Sequence, residues 1–326
     1  MSLEVKHLSK KYGEKTVVKD LSFSMDKPGV YALLGTNGAG KTTAIRMMLG
    51  MLAKDSGEVI WNGEALDINK CNVGYLAEER GLYPKYTLMD QLIYFAQLRG
   101  LSRAEAKERI RAWSTRLELD EYLYPVGTAR NFSFSFMNKG TAPRIVQLPS
   151  KKADQLSKGN QQKIQFMVSL ISDPELIVLD EPLSGLDPVN TDLFKSVIRE
   201  EIAKGKYLIM SSHQMATVEE FCTDITILHK SETVLQGNLN TIKSSYGRVN
   251  LSLKTTTDVG EYIRSSGAKL ISEKECEYEL KVTGEEQANA LLSKLISAGV
   301  CIVRFELKEP SLHEIFVEKV GESADE

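Results

Sequence analysis

The sequence predicts two folded units: a parallel-sheet α/β domain over residues 1–240 and a small α+β domain over residues 246–320. Three observations lead there. Short runs that are apolar on both faces, "GVYALLG" (Gly29 to Gly35) and "LIVLD" (Leu176 to Asp180), alternate with helical patterns, as buried strands covered by helices do. Past Tyr246 the order becomes β-α-β-β-α-β, a ferredoxin-like arrangement. The length of 326 residues also suits two domains better than one.

Composition narrows the function. Apolar residues make up 42% and charged residues 26%, the mix of a globular chain with a large core. A net charge of -3 supplies no basic field, and no nucleic-acid partner is expected. No run approaches the roughly eighteen apolar residues of a membrane span, and the opening "MSLEVKHLSKKYG" has no apolar stretch of a secretion signal. Cys71, Cys222, Cys276 and Cys301 show neither pairing nor metal spacing, which fits a reducing compartment. Any work at a membrane is therefore expected to run through a partner.

Taken in order, "GVYALLG" is the first buried strand. "TLMDQLIYFAQLRGLSRAEAKERIRAWSTRLEL" has helical periodicity, with Gly100 as its break. "LIVLD" and "KYLIMSSH" (Lys206 to His213) are further apolar strands, and "DITILHKSETVLQG" reads as a hairpin. In the second unit "RVNLSLK", "AKLISE", "CEYELKVT" and "VCIVRFEL" read as strands. "VGEYIRSSG" and "EEQANALLSKLISAG" read as helices stopped by glycine. "PSLHEIFVEKV" is a closing helix with proline at its start, and "GESADE" a frayed tail.

Gly35-Thr36-Asn37-Gly38-Ala39-Gly40-Lys41-Thr42-Thr43 fits the spacing G-x-x-x-x-G-K-[ST] between an apolar strand and a helical run. Gly35, Gly38 and Gly40 let backbone N–H groups curl around an anion at the positive end of a helix. The stretch, Asn37 and Thr43 included, is expected to hold a nucleotide. Lys41 reaches the β- and γ-phosphates, and Thr42 ligates Mg²⁺. Asp180 and Glu181 end an apolar strand, at the edge of an open parallel sheet where ligands sit. Asp180 is expected to hold Mg²⁺, and Glu181 to polarise the attacking water.

"ADQLSKGNQQK" (Ala153 to Lys163) reads as a helix start with its first turn bare: Ser157 can cap it, and Gly159 carries no side chain to block an approach. "LSKGN" about twenty residues before "LIVLDEP", then "SGLD", then a histidine after another apolar strand, together resemble the nucleotide-binding subunit of an ATP-binding cassette (ABC) transporter. The resemblance covers residues 1–240 and implies a P-loop NTPase core with a helical subdomain near residues 85–170. It implies that two such subunits, as a homodimer or heterodimer, face each other head to tail. Each ATP then lies between one phosphate loop and the partner's Ser157 and Gly159, with the helix dipole aimed at the γ-phosphate. It further implies that Tyr12 stacks on adenine, that Asp187 links the two sites, and that His213 contacts the γ-phosphate. It places the chain on the inner face of the cell membrane, in the cytoplasm, attached to a separate permease whose coupling helix docks near Glu78 to Tyr94.

Departures from the family pattern narrow the resemblance. Lys158 and Asn160 replace the second glycine and the glutamine of L-S-G-G-Q. Glu78 stands where a glutamine usually touches Mg²⁺, and a carboxylate still ligates that ion. These features and the tail "EPSLHEIFVEKV" resemble the NatA-like exporters. Residues 123–150 have no counterpart in that group. There Phe132, Phe134 and Phe136 alternate with serines, and Asn138-Lys139-Gly140 offers a turn. Arg130, Lys139 and Arg144 flank them, so the segment reads as a β-hairpin with one aromatic face and basic flanks. That face is expected to pack on the permease, the helical subdomain or a regulator. Two other classes fit less well. Soluble ABC ATPases acting on nucleic acid carry long coiled coils, and those acting on ribosomes carry two cassettes. A P-loop kinase leaves "LSKGN" and "SGLD" without purpose.

Overall fold

The structure, a computed structural model, describes residues 1–79, 81–129 and 144–322. They form two compact units: Met1–His213 with Lys230–Glu232, and Gln214–His229 with the chain from Thr233 on.

The first unit runs β1 (Leu3–Tyr12), β2 (Lys15–Met25), β3 (Gly29–Gly35), α1 (Lys41–Met48), β4 (Ser56–Trp61), β5 (Glu64–Ala65) and β6 (Val73–Leu76). Then come α2 (Leu88–Leu98), α3 (Arg103–Arg116), α4 (Asp120–Leu123), β7 (Val126–Ala129) and β8 (Arg144–Gln147). A 3₁₀ turn (Ala153–Gln155), α5 (Lys158–Leu170), β9 (Leu176–Leu179), α6 (Pro188–Ala203) and β10 (Tyr207–Ser212) complete it. Strand β10 pairs in parallel with β3 and with β9, and β9 with β6. Every residue of β3, β9 and β10 is buried, which is why these strands read as continuous apolar runs. Leu34 is level with Ser212, and Leu179 with Met210. The loop after β3, the acids after β9 and the histidine after β10 therefore emerge at one edge of the sheet.

A second, antiparallel sheet in the order β2-β1-β4-β5 goes beyond the expected strands. Its alternation is broken by bulges: His7 and Asp20 have φ of 50° and 51°, and the pairing register slips between Val5 and Leu8. Buried Leu3 and Val5 are followed by Leu8, one residue out of phase.

Among the helices, Gly100 has φ of 85° and separates α2 from α3, as the sequence predicts. Ser102 and Glu105 form a reciprocal capping box at the start of α3. Strands β7 and β8 pair antiparallel, from Val126 opposite Gln147 to Ala129 opposite Arg144. The span carrying Phe132, Phe134, Phe136 and the Asn138-Lys139-Gly140 turn lies outside the described residues, as do residues 323–326 of the tail.

The second unit contains α7 (Met215–Phe221), the hairpin β11 (Asp224–His229) and β12 (Glu232–Asn238), and α8 (Leu239–Tyr246). Then follow β13 (Asn250–Thr255), α9 (Gly260–Ser266), β14 (Lys269–Lys274), β15 (Glu277–Lys281), α10 (Glu285–Ser297), β16 (Ile302–Lys308) and α11 (Leu312–Glu322). The sheet order is β14-β15-β13-β16 with each neighbouring pair antiparallel, the ferredoxin-like arrangement. Leu251, Leu253, Tyr278 and Leu280 of the sheet pack with Val259, Ile263, Leu291 and Leu295. Gly267 ends α9 with φ of 73°. Pro310 stands two residues before α11, just outside the helix it was expected to begin. Within this unit the last helix returns to α7: the Leu312 N–H donates to the Glu219 carboxylate, which also pairs with Lys243.

Candidate nucleotide site

The loop between β3 and α1 leaves a helix end open. No side chain caps α1 at Gly40, so the N–H groups of its first turn remain available to a ligand. Gly40 has φ of 105°, and a Cβ there would lie 2.3 Å from the Val17 carbonyl oxygen. Only glycine fits. Val17 is the extra residue of a bulge in β2, where Lys10 pairs with Val18 and Lys11 with Thr16. That bulge sets β2 against the loop.

The Lys41 side chain is buried, and its ammonium donates to the Gly35 carbonyl at 2.8 Å and the Thr36 carbonyl at 3.4 Å. It also stands 3.3 Å from Glu181 Oε1, close enough for an ion pair although that oxygen accepts no hydrogen bond. Asp180 Oδ1 accepts from Thr42 Oγ1 at 3.2 Å and from Ser211 Oγ at 2.5 Å. The Glu181 N–H in turn donates to Ser211 Oγ at 2.8 Å. His213 Nδ1 lies 2.9 Å from Glu181 Oε2. Glu181 adopts φ of 50°, a left-handed conformation in a non-glycine residue, held by these three neighbours.

Burial pushes the Asp180 carboxyl above its ordinary range, against the downward pull of the Ser211 and Thr42 hydrogen bonds; the Glu181 charge adds to the rise. Asp180 Oδ2 and Glu181 Oε1 are buried without a donor. A bare helix end, a buried ammonium and two unsatisfied carboxylate oxygens suit a polyphosphate with a divalent cation. Among the described residues, no group of three or more His, Cys, Asp or Glu side chains could hold a metal ion.

A cavity of about 380 Å³ opens here, lined by Lys15, Val17, Asn37, Gly38, Gly40, Lys41, Thr42, Thr43, Glu78 and Glu181. Glu78 therefore shares the cavity with Thr42, while Asp180 lies behind it. Tyr12 does not line the cavity. It ends β1 opposite Lys15, with 52% of its surface exposed.

Ser157, Gly159 and Asp187 form a separate group. Ser157 caps α5 by accepting from the Asn160 N–H at 3.3 Å. Asp187 caps α6, accepting from Asn190 N at 2.9 Å and from Asn190 Nδ2 at 2.5 Å. That amide nitrogen lies 3.2 Å from where a Gly159 Cβ would stand, which joins the two helix starts. Gln162 Nε2 donates to the Pro182 carbonyl at 2.8 Å and ties α5 to the loop after Glu181.

Sequence reasoning missed Lys15, Val17, Ser211, Gln162 and Asn190. Ser211 alone carried a signal, a polar residue inside the apolar run "KYLIMSSH". The others act through bulges and loop contacts that leave no periodic trace.

The family profile described as ABC transporter matches residues 18–184, and that of the ATP-binding protein DrrA1-3-like C-terminal domain matches residues 237–320. The uncharacterized ABC transporter ATP-binding protein YhaQ of Bacillus subtilis (strain 168) is 38% identical over 320 residues, 98% of each chain. The linearmycin resistance ATP-binding protein LnrL of the same organism is 27% identical over 331 residues, again 98% of each. A solved ATP-binding subunit of an ABC transporter superposes with a TM-score of 0.62 at 29% identity, covering 76% of this chain and 93% of that one. The chain belongs to the ABC transporter family, as one of its ATP-binding proteins with a C-terminal extension. The family binds and hydrolyses ATP.

Proposed function

We propose that this chain is the ATP-hydrolysing subunit of an exporter and that it closes head to tail on a second nucleotide-binding subunit. The observation that carries the reading is that Lys41 and Glu181 line one cavity at the sheet edge, with His213 held against Glu181 at 2.9 Å. The backbone of the phosphate loop and Lys41 hold the β- and γ-phosphates of ATP. Glu181 would orient the attacking water, and His213, held against Glu181, would contact the γ-phosphate. Thr42, Asp180 and Glu78 hold Mg²⁺, which supplies charge neutralisation on the phosphates. Tyr12 stacks on the adenine from the hairpin beside the cavity. Ser157 and Gly159 of one subunit approach the nucleotide of the other, and Asp187, joined to Gly159 through Asn190, couples the two sites.

Among the described residues no helix is long and apolar enough to cross a membrane; on the family reading, a separate permease supplies the path. The protein then works from the cytoplasmic face. The half-exposed tyrosines Tyr83, Tyr86 and Tyr94 line a groove of about 390 Å³ that suits a coupling helix of that permease. The relative named for linearmycin resistance supports export as the direction. Residues 1–240 act as the ATPase domain, with a helical subdomain near 85–170 and the insertion 123–150. Residues 246–320 act as the accessory domain.

The test is ATP hydrolysis measured beside molecular mass for the natural chain and Glu181→Gln. Turnover falling to background with an ATP-trapped dimer is the expected result. Surviving turnover, or a monomer indifferent to ATP, removes the reading.

A further inference from the structure

The face of Tyr12 turned toward its own strand is occupied. Lys10, two residues earlier on the same face of β1, places its ammonium 5.4 Å from the Tyr12 ring centroid. Lys10 is not a loose surface lysine. Its side chain is only 12% exposed, and its ammonium donates to Asp55 Oδ1 at 2.9 Å. Asp55 is fixed in turn: Oδ2 accepts the Lys11 N–H at 2.7 Å, and its own N–H donates to the Ser9 carbonyl. The Lys10 ammonium, followed by the Lys11 N–H, holds the Asp55 carboxyl below the usual carboxylate range. The chain Asp55–Lys10–Tyr12 thus runs from the start of β4 to the tip of the β1–β2 hairpin. On the other strand of that tip, Lys15 and Val17 line the phosphate cavity.

We infer that Asp55 and Lys10 are positioning residues for the purine base: they fix one face of Tyr12 so that the opposite face is presented flat to adenine. The inference rests on the reading that Tyr12 stacks on the base. A cation behind an aromatic ring draws electron density away from the exposed face, which favours stacking by an electron-rich purine. It also removes rotamer freedom that stacking would otherwise have to freeze. The contribution is uniform binding, made equally in the bound and transition states, so it belongs in KM and not in kcat.

The experiment uses the full chain and measures ATPase kinetics, with inorganic tripolyphosphate as a competitor that lacks the base. Lys10→Met is expected to raise KM for ATP about two- to fivefold, the size of one partly exposed cation–π contact, with kcat unchanged. The tripolyphosphate inhibition constant should stay constant, and Lys10→Arg should restore KM. Asp55→Asn should move KM in the same direction as Lys10→Met. Tripolyphosphate weakening in step with ATP overturns the inference, because Lys10 would then act on phosphates or on the fold. KM unchanged in Lys10→Met but raised in Tyr12→Ala overturns it while sparing the stacking reading. KM unchanged in Tyr12→Ala removes both.

Discussion

His213 Nδ1 stands 2.9 Å from Glu181 Oε2, across the ends of two neighbouring parallel strands. The contact fixes a carboxylate that its own backbone strains, since Glu181 has φ of 50°. A base held this way can face a water without first losing side-chain entropy. Replacing the imidazole leaves the phosphate loop intact and frees the carboxylate. His213→Ala is expected to lower ATP turnover by about a hundredfold, with nucleotide affinity close to that of the natural chain. Steady-state hydrolysis beside equilibrium binding of a fluorescent ATP analogue checks it, and an equal loss in both measurements would count against the role.

Asp180 links the site to pH. Burial raises its folded-state pKa, so the folded protein binds more protons than the unfolded chain in the window between the two values. Stability from this group therefore falls as pH rises through that window, and its full cost is present only above the folded-state pKa. Asp180→Asn removes the buried charge. The nucleotide-free variant is expected to gain about 1–2 kcal/mol at pH 7, with the gain fading as pH falls toward about 4, where the unfolded carboxyl protonates. Denaturant melts of the first unit at the two pH values test the sign. The same variant should lose Mg²⁺-dependent hydrolysis.

Gly40 admits no side chain. Gly40→Ala puts a Cβ 2.3 Å from the Val17 carbonyl at a φ of 105°, which costs about 2–4 kcal/mol of stability. The β2 bulge must move to relieve the clash, and nucleotide binding should vanish with it. A thermal melt with and without ATP reads both effects: a lower midpoint and no ATP-dependent rise.

Tyr278 tests the second unit by itself. Its buried hydroxyl donates to Asp258 Oδ1 at 2.8 Å and accepts the Val259 N–H at 3.1 Å. Tyr278→Phe strands that N–H inside the core, at an expected cost of about 1–2 kcal/mol. Hydrogen exchange should speed up around Val259 and α9, while ATP affinity stays unchanged.

Cys222 is buried, and burial pushes its thiol well above the usual range, whereas Cys301 is exposed. Alkylation of the native chain should therefore label Cys301 and spare Cys222 until denaturant is added. Mass spectrometry of tryptic peptides distinguishes the two.

Much of the parallel sheet was legible in the sequence because strands buried on both faces leave unbroken apolar runs, as in "GVYALLG" and "LIVLD". The phosphate loop and the two acids were legible because their chemistry depends on short, contiguous spacing. The ferredoxin-like order could be read from glycines that stop α9 and follow α10 at positive φ. The antiparallel sheet could not. His7 and Asp20, both at positive φ and joined by a 2.7 Å contact, shift the strand phase by one residue and erase the alternation that marks a strand.

The sequence by itself determined the strand-loop-helix that cradles phosphate, the acids that follow β9, and the two-unit order of the chain, since each is a local pattern. Only the tertiary structure decided that Ser211 bridges Asp180 to the Glu181 backbone, that Val17 closes on Gly40, and that Asp55 reaches Tyr12 through Lys10. Those partners are 30 to 31, 23 and 43 to 45 positions apart in the sequence. Their meeting depends on parallel register and on bulges, which arise from packing and backbone pairing rather than from any run of neighbouring residues.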